Sequence, residues 1–205
     1  DHSEKYFKFV SQTPTVLPSV LVKVIGAFEV EYKITKNGNK ETRYLMVQEN
    51  LFYSQKVSRM CDLKGAQRNL KGNAGDVDDG DTVLDDNLFR FSDGYPLLLT
   101  EVAKQQLTRA LWNDTLFLQS INVMDYSLLV GMVQQPSAVG NEETWTLVVG
   151  VIDYCRQFTW KEMAEAQIKR ATVIQPRQYK NRFRNALLRY FMSSIEKYDT
   201  GDGTA

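Results

Sequence analysis

Two aspartates in this chain occupy positions where a carboxylate needs a physical reason. Asp125 lies inside the apolar run 121–131, and Asp153 directly follows the apolar stretch 145–152. An ionised carboxylate is costly to bury unless hydrogen bonds or a partner charge compensate it. Phosphoryl transfer also requires two carboxylates, one near the attacking hydroxyl and one that holds Mg²⁺ against the nucleotide phosphates. On the residues alone, each aspartate is either such a group or a hydrogen-bonded turn residue.

A third candidate is Lys64, which stands in the sequence Asp62-Leu63-Lys64-Gly65 just past a short apolar segment. A lysine beside a glycine can reach a phosphate, because glycine lets the backbone approach the anion closely. A salt bridge between Asp62 and a neighbouring residue explains the same letters. Both interpretations stay open at this point.

The composition excludes several other kinds of chemistry. The 205 residues include one histidine, His2, and two cysteines, Cys61 and Cys155. A Ser-His-Asp or Cys-His catalytic site in the body of the domain, a zinc finger and an HExxH site are therefore excluded. Both cysteines are expected to be buried free thiols, as is typical of a reducing compartment.

Basic residues gather towards the end of a chain whose 25 basic and 25 acidic residues otherwise balance. The basic residues between positions 161 and 189 are Lys161, Lys169, Arg170, Arg177, Lys180, Arg182, Arg184 and Arg189. Such a face either attracts an anionic membrane, at about 1 kcal/mol per well-placed cation, or is simply solvated. No apolar run approaches the roughly 20 residues that span a bilayer. The chain is expected to be soluble or to meet a membrane only at its surface.

Apolar spacing predicts the elements that begin the chain. We expect a short helix over residues 3–11, ended by Pro14 and Pro18. Further on, alternating apolar and polar residues predict a half-buried antiparallel hairpin whose turn is Asn37-Gly38.

The later segments are predicted in the same way. Residues 71–86 are acidic and lack the ligand spacing of a calcium site, so we expect a solvated, mobile loop there. A core helix is expected over 97–118 and a buried strand over 145–152. Residues 159–162 have the form of a capping box that opens another helix. The last helix begins at about Pro176, and its apolar stripe is Tyr179, Phe183, Leu187, Phe191, Ile195 and Tyr198.

Three stretches resemble the signature stretches of the phosphatidylinositol phosphate kinases, and they occur in the same order. They are Asp-Leu-Lys-Gly at 62–65, Met-Asp-Tyr-Ser-Leu-Leu-Val-Gly at 124–131 and Gly-Val-Ile-Asp at 150–153. The stretch Tyr-Cys-Arg-Gln-Phe-Thr-Trp at 154–160 is most similar to the endosomal branch of that family, the phosphatidylinositol 3-phosphate 5-kinases.

The resemblance implies an α+β, kinase-related fold of the SAICAR synthase-like type. A small antiparallel sheet lobe would pack on a larger lobe, with ATP bound between them. Residues 1–205 would be a catalytic domain without its N-terminal glycine-rich loop, divided into a small-lobe remnant at about 1–50 and a core and larger lobe at 51–205.

The implied reaction transfers the γ-phosphate of ATP to the inositol ring of a phosphatidylinositol phosphate, namely phosphatidylinositol 3-phosphate at position 5. The alternative is a catalytically incomplete module that binds phosphoinositide membranes or a protein partner. In either case the protein would be cytoplasmic and peripheral on endosomal or vacuolar membranes.

The resemblance also implies a role for each site residue. Asp125 matches the catalytic-loop aspartate, Lys64 a phosphate-contacting lysine and Asp153 the Mg²⁺-binding aspartate. The residues expected beside the adenine of ATP are Gln48, Glu49, Asn50 and Leu51, with Leu129 and Ile152 on the other face. The cations expected to contact the lipid headgroup are Lys161, Lys169 and Arg170.

Overall fold

The computed structural model describes residues 2–34, 38–65, 82–84, 88, 92, 95–135, 144–155 and 174–194. Within these ranges the chain is a mixed α+β protein. The helices are α1 (His2–Val16), α2 (Glu101–Ser120) and α3 (Pro176–Tyr190). The strands are β1 (Val24–Lys33), β2 (Lys40–Gln48), β3 (Val57–Leu63), β4 (Thr82–Leu84), β5 (Leu97–Leu99), β6 (Ser127–Gln135), β7 (Thr144–Ile152) and β8 (Phe191–Ser193).

A four-stranded sheet with the order β4-β3-β6-β7 forms the centre of the fold. Strands β3, β6 and β7 are antiparallel neighbours, and β4 runs parallel to β3. Side chains alternate across a strand, and those of Leu63, Leu128, Val130 and Val151 are fully buried. They form one apolar cluster with side chains of α2 and α3. Burying each contributes about 1.5–3 kcal/mol, so the sheet is a well-anchored support for a site at its edge.

The predicted hairpin is confirmed as β1 and β2, which form a separate two-stranded sheet. Its expected burial is wrong, because Phe28 is 55% exposed and its cross-strand partner Leu45 is 49% exposed. In the part of the chain that the structure describes, β1 and β2 pair only with each other, so no second layer covers these side chains.

The core helix α2 begins four residues later than the spacing predicts. Thr100 has extended backbone and its hydroxyl accepts a hydrogen bond from the backbone N–H of Ala103, so it is the N-cap. The preceding residues Leu97–Leu99 form β5, which pairs in parallel with Phe191–Ser193. Helix α3 correspondingly ends at Tyr190. No helix in the described ranges is long and apolar enough to cross a bilayer.

The apolar stripe of the last helix is confirmed for Tyr179, Phe183 and Leu187, which are all buried. Phe191 is also buried, but it lies in a strand. The last two members of the stripe, Ile195 and Tyr198, lie outside the described residues.

Other predictions have mixed outcomes. Helix α1 continues past Pro14, so the loss of one backbone donor there does not end it. Thr82–Leu84 forms a strand inside the stretch predicted as a loop, because it pairs with β3. Residues 71–81 of that stretch lie outside the described residues, as does the predicted capping box at 159–162. The predicted strand over 145–152 is confirmed as β7, but its expected burial is only partly correct, since Gly150 and Val151 are buried whereas Trp145 is 49% exposed.

The two cysteines differ in their surroundings. Both are free thiols, and Cys61 is buried, but Cys155 is exposed, which corrects its predicted burial. Burial raises the pKa of the Cys61 thiol to about 11. Cys155 is exposed because it follows the end of β7, where the sheet no longer covers both sides of the chain.

Candidate active site

The register of the central sheet brings Lys64, Asp125 and Asp153 to the same edge. Leu63, the last residue of β3, lies opposite Leu128 near the start of β6. Leu128 in turn lies opposite Val151 near the end of β7. The residue after β3, the residues before β6 and the residue after β7 must therefore meet.

The side-chain distances agree with this register. The Nζ of Lys64 donates a hydrogen bond to the backbone oxygen of Asp125 at 2.9 Å. It also lies 3.9 Å from Asp125 Oδ1 and 4.0 Å from Asp153 Oδ2. The ammonium side chain is 27% exposed, whereas the two carboxylate side chains are 69% and 60% exposed. Ion pairs this exposed stabilise a fold by at most about 1 kcal/mol, so stability alone does not explain the arrangement. The site presents two solvent-accessible carboxylates beside one cation.

Both aspartates have a backbone conformation that most residues avoid. The φ angles are +66° at Asp125 and +61° at Asp153, in the left-handed region that aspartate tolerates better than most residues. Such positions cost of order 1 kcal/mol and occur preferentially at functional sites. Ser54 and Asn122 share this conformation, with φ angles of +59° and +55°, so the strain agrees with the choice of Asp125 and Asp153 but does not select them by itself.

Helix α3 supports the turn that carries Lys64. Gly65 has a φ of +69°, and a Cβ there would lie 2.9 Å from the Cα of Phe183 and 3.1 Å from the Cβ of Ala186. Only glycine allows the end of β3 to approach the helix this closely. The position of Lys64 is therefore determined by direct contact between the next residue and α3.

The same helix holds the backbone of Tyr126, the residue that follows Asp125. The hydroxyl of Tyr179 donates a hydrogen bond to the backbone oxygen of Tyr126, and both tyrosines are buried. The Tyr126 ring packs edge-on against Tyr179 and Phe183 at centroid distances of 4.9 and 5.0 Å. Sequence reasoning assigned Tyr179 only to the core, since a helical stripe does not show which backbone group a side chain reaches.

The residues expected around adenine come together in part. A Cβ on Gly150 would lie 2.6 Å from Val22 Cγ2 and 3.0 Å from the Leu51 side chain, so Val22 and Leu51 together cover that position of β7. Leu129 is the cross-strand partner of Gly150, and Ile152 is two residues further along β7 on the same face. Leu51, Leu129 and Ile152 therefore share one face of the sheet at the end where Asp153 lies.

The polar members of that segment make local contacts. Glu49 exchanges two hydrogen bonds with Lys23, from its own backbone N–H to the Lys23 oxygen at 2.9 Å and from the Lys23 N–H to its carboxylate at 2.8 Å. Asn50 accepts a hydrogen bond from the backbone N–H of Phe52 at 3.1 Å, which forms a turn. The buried side-chain nitrogen of Gln48 has no hydrogen-bond partner within the described residues.

The predicted cationic face is only partly described and partly corrected. Lys161, Lys169 and Arg170 lie outside the described residues. Arg184 is not available to a ligand, because it donates hydrogen bonds to Thr115 Oγ1 at 2.8 Å and to the Trp112 backbone oxygen at 2.7 Å. Its guanidinium carbon also lies 4.5 Å above the ring centre of Trp112. Arg184 therefore ties α3 to α2 and contributes little to a solvated positive surface.

The acids at this edge fit one particular kind of metal site. No group of three or more His, Cys, Asp or Glu side chains in the described ranges could enclose a metal ion. Mg²⁺ commonly binds one or two carboxylates and takes its remaining ligands from waters and substrate phosphates. The exposed carboxylate of Asp153 fits such a site, in which waters and bound phosphates would complete the ligand set.

A family model and several known proteins match the chain over most of its length. A family model described as Phosphatidylinositol-4-phosphate 5-Kinase matches residues 1–141. The chain is 38% identical, over 97% of its length, to the putative 1-phosphatidylinositol-3-phosphate 5-kinase FAB1C of Arabidopsis thaliana. It is 37% identical over 91% of its length to the 1-phosphatidylinositol 3-phosphate 5-kinase FAB1 of Saccharomyces cerevisiae, and 34% identical over 94% to the 1-phosphatidylinositol 3-phosphate 5-kinase of Homo sapiens. The chain spans 12%, 8% and 9% of these three relatives, respectively.

Proposed function

Because the chain belongs to the phosphatidylinositol-4-phosphate 5-kinase family, we propose that it is part of the catalytic domain of a lipid kinase. The reaction is transfer of the γ-phosphate of ATP to phosphatidylinositol 3-phosphate, at position 5 of the inositol ring. The names of the relatives support this substrate. The observation that carries the proposal is the meeting of Lys64, Asp125 and Asp153 at one edge of the sheet.

The proposed fold is the two-lobed, SAICAR synthase-like type of kinase. Residues 1–50, which contain the β1–β2 hairpin, belong to the small lobe. Residues 51–205, which contain the central sheet, α2 and α3, form the core and the larger lobe. The proposal is supported by the hairpin being a sheet of its own, distinct from the four-stranded sheet.

Each acid at the sheet edge has a distinct proposed task. The exposed carboxylate of Asp125 orients the attacking inositol hydroxyl towards the γ-phosphate and accepts its proton, as the new P–O bond forms and the bond between the β- and γ-phosphates breaks to release ADP. Asp153 would hold Mg²⁺, which would neutralise charge on the nucleotide phosphates. Little covalent work is then required of the protein, since orientation and charge neutralisation lower the barrier.

Lys64 completes the arrangement as a preorganised positive charge. Its hydrogen bond to the Asp125 backbone and its distance of about 4 Å from both carboxylates hold the ammonium group near the reacting atoms. There it stabilises negative charge on the transferred phosphoryl group. The adenine of ATP lies against Leu51, Leu129 and Ile152, with Gln48, Glu49 and Asn50 beside it.

The membrane-facing part of the proposal rests on the substrate class. A kinase of a phosphoinositide must meet its substrate at an anionic surface, on endosomal or vacuolar membranes in the proposed case. Lys161, Lys169 and Arg170 would contact the lipid headgroup, and protein scaffolds could add further attachment. The relatives' names, which specify a membrane lipid as substrate, support this part.

The test is a radiolabel transfer assay with the full-length protein, Mg-ATP and vesicles that contain phosphatidylinositol 3-phosphate. Asp125→Asn should lower turnover by about 10²-fold or more, because a neutral amide cannot accept the hydroxyl proton. Glu29→Gln, which neutralises an exposed acid on β1, is the matched control and should leave turnover unchanged.

Two results would contradict the proposal. A wild-type protein that transfers no label to the lipid is not this kinase, and vesicle binding without ATP affinity in calorimetry would favour the alternative of a binding module. Normal turnover in Asp125→Asn would remove that carboxylate from the catalytic site.

A further inference from the structure

An extended strap, residues 18–23, leads from α1 to the first residue of β1 and passes beside the proposed site. In its middle it pairs in parallel with β7, at Val151. The backbone N–H of Val22 donates to the Val151 oxygen at 3.0 Å, and the Val151 N–H donates to the Val20 oxygen at 2.7 Å. Val151 is two residues before Asp153, so the strap borders the end of β7 that carries the acid.

The far end of the strap is held by other side chains of the site region. Lys23 exchanges hydrogen bonds with Glu49 at 2.8 and 2.9 Å. The hydroxyl of Tyr154 donates to the Val22 oxygen, and the hydroxyl of Tyr6 accepts from the Val24 N–H at 2.8 Å. The strap thus connects the residue after Asp153 with the segment that begins the proposed adenine contact.

The near end of the strap is anchored by helix α2. Asp114 is fully buried, and its Oδ2 accepts a hydrogen bond from the Val20 N–H at 2.8 Å. The Ser19 hydroxyl and the Leu21 N–H also stabilise the charged form of this carboxyl group. Next to it, the Asn113 side chain donates to the Pro18 oxygen at 3.1 Å.

The buried carboxyl group of Asp114 does not stabilise the fold by itself. Its second oxygen, Oδ1, is buried without a hydrogen-bond partner among the described residues. Burial outweighs the available hydrogen bonds and raises the pKa of this carboxyl group to about 7. A buried acid that is only half satisfied destabilises the fold, so the benefit must come from the geometry that it imposes.

We infer that Asp114 is a positioning residue for the nucleotide cleft. By holding Ser19 to Leu21 on α2, it keeps the strap in register with Val151 and Glu49. It thereby sets the distance between Asp153, which faces the phosphates, and the adenine contacts that follow Glu49. The inference rests on the proposed function, because it assigns ATP to this cleft.

A neighbouring residue provides a matched control. Thr115 is as fully buried as Asp114, but its hydroxyl accepts from Arg184 and donates to the Leu111 oxygen at 2.6 Å. It therefore contacts α3 and its own helix, and none of its hydrogen bonds reaches the strap. Thr115→Val should perturb the core without moving the strap.

The experiment combines steady-state kinetics with amide hydrogen exchange on the full-length protein. Asp114→Ala should raise the KM for Mg-ATP about tenfold while the KM for lipid stays within about twofold, because the misplaced strap disturbs the adenine side. Asp114→Asn keeps an oxygen acceptor for the Val20 N–H and should restore the wild-type KM. Exchange at the Val20 and Val22 amides should be about tenfold faster in Asp114→Ala and unchanged in Thr115→Val.

If Asp114→Ala does not fold, Asn113→Ala loosens the same strap from a half-exposed position and should raise the KM for Mg-ATP about two- to threefold. Equal increases in that KM for Thr115→Val and Asp114→Ala would overturn the inference, as would unchanged exchange at Val20 and Val22 in Asp114→Ala. The exchange measurement does not depend on turnover. An inactive wild-type protein would therefore refute the proposed function. The exchange measurement on the same proteins would still show whether Asp114 holds the strap.

Discussion

Replacing Asp114 by asparagine should change how the stability of this protein depends on pH. The carboxyl group is fully buried, and its pKa is raised from 3.8 to about 7 by burial. The groups that partly oppose this shift are the Ser19 hydroxyl and the N–H groups of Val20 and Leu21. Between pH 4 and pH 7 the folded protein therefore binds a proton that the unfolded chain has released.

The sign and size of the effect follow from that difference in bound protons. Where the folded state binds more protons, the free energy of unfolding falls as pH rises. A pKa raised from 3.8 to about 7 lowers the free energy of unfolding by about 4 kcal/mol between pH 4 and pH 7, and this loss stays constant at higher pH. Asparagine carries no charge at either pH, so the Asp114→Asn variant lacks this loss.

The variant also introduces a cost that does not depend on pH. Its amide nitrogen replaces an oxygen that already lacks a partner, and an unsatisfied buried donor costs about 1–3 kcal/mol. We therefore expect Asp114→Asn to be less stable than the wild type at pH 4. At pH 8 it should be more stable by roughly 2 kcal/mol, which raises the Tm by about 4–8 °C for a chain of this size.

The assay is urea unfolding of both proteins, followed by tryptophan fluorescence at steps between pH 4.5 and pH 8. The quantity to plot is the difference between the two free energies of unfolding, because contributions of all other titrating groups cancel in it. A difference that stays constant within about 0.5 kcal/mol across the range would refute the reasoning. It would mean that the carboxylate is as well stabilised in the folded protein as in water.

Two further substitutions test the supports of the site. Gly65→Ala should lower the free energy of unfolding by about 2–4 kcal/mol in thermal melts, because its Cβ would collide with Phe183 in addition to the left-handed strain. Gly38→Ala has a similar φ of +72°, but its Cβ would meet only the end of the Lys33 side chain at an ordinary contact distance of 3.7 Å. It should therefore lose only about 1 kcal/mol, and equal losses would exclude the contact with α3. Arg184→Lys should cost about 1–3 kcal/mol, since a lysine cannot reproduce two hydrogen bonds to α2 and the ring contact. Arg177→Lys, on the exposed side of α3, should cost less than about 0.5 kcal/mol, and a similar loss for both would contradict the role given to Arg184.

Local patterns in the sequence predicted several elements and the centre of the candidate site. The alternation that predicts β1 and the stripe that predicts α3 depend on neighbours within a few residues, and both elements are present in the fold. The order of the stretches around Lys64, Asp125 and Asp153 indicated that they act together. The structure places the Lys64 ammonium group 3.9 Å from an Asp125 oxygen and 4.0 Å from an Asp153 oxygen.

The errors occurred where distant segments meet. The leucine spacing predicts a helix at Leu97. In the structure, Leu97 instead pairs with Phe191 in a two-stranded parallel sheet whose strands are far apart in sequence. The exposure of Phe28 likewise depends on what covers the hairpin, which the alternation of the strand does not contain. No window of local sequence carries either kind of information.

The sequence by itself determined which residues could do chemistry, because an acid in an apolar run and a lysine beside a glycine are visible as letters. Only the tertiary structure decided how they are held. Gly65 acquires its role from the backbone of α3, and Asp114 acquires its role from a strap about 94 residues away. Both depend on burial and on contacts between distant segments, and those exist only once the sheet, the helices and the strap have packed together.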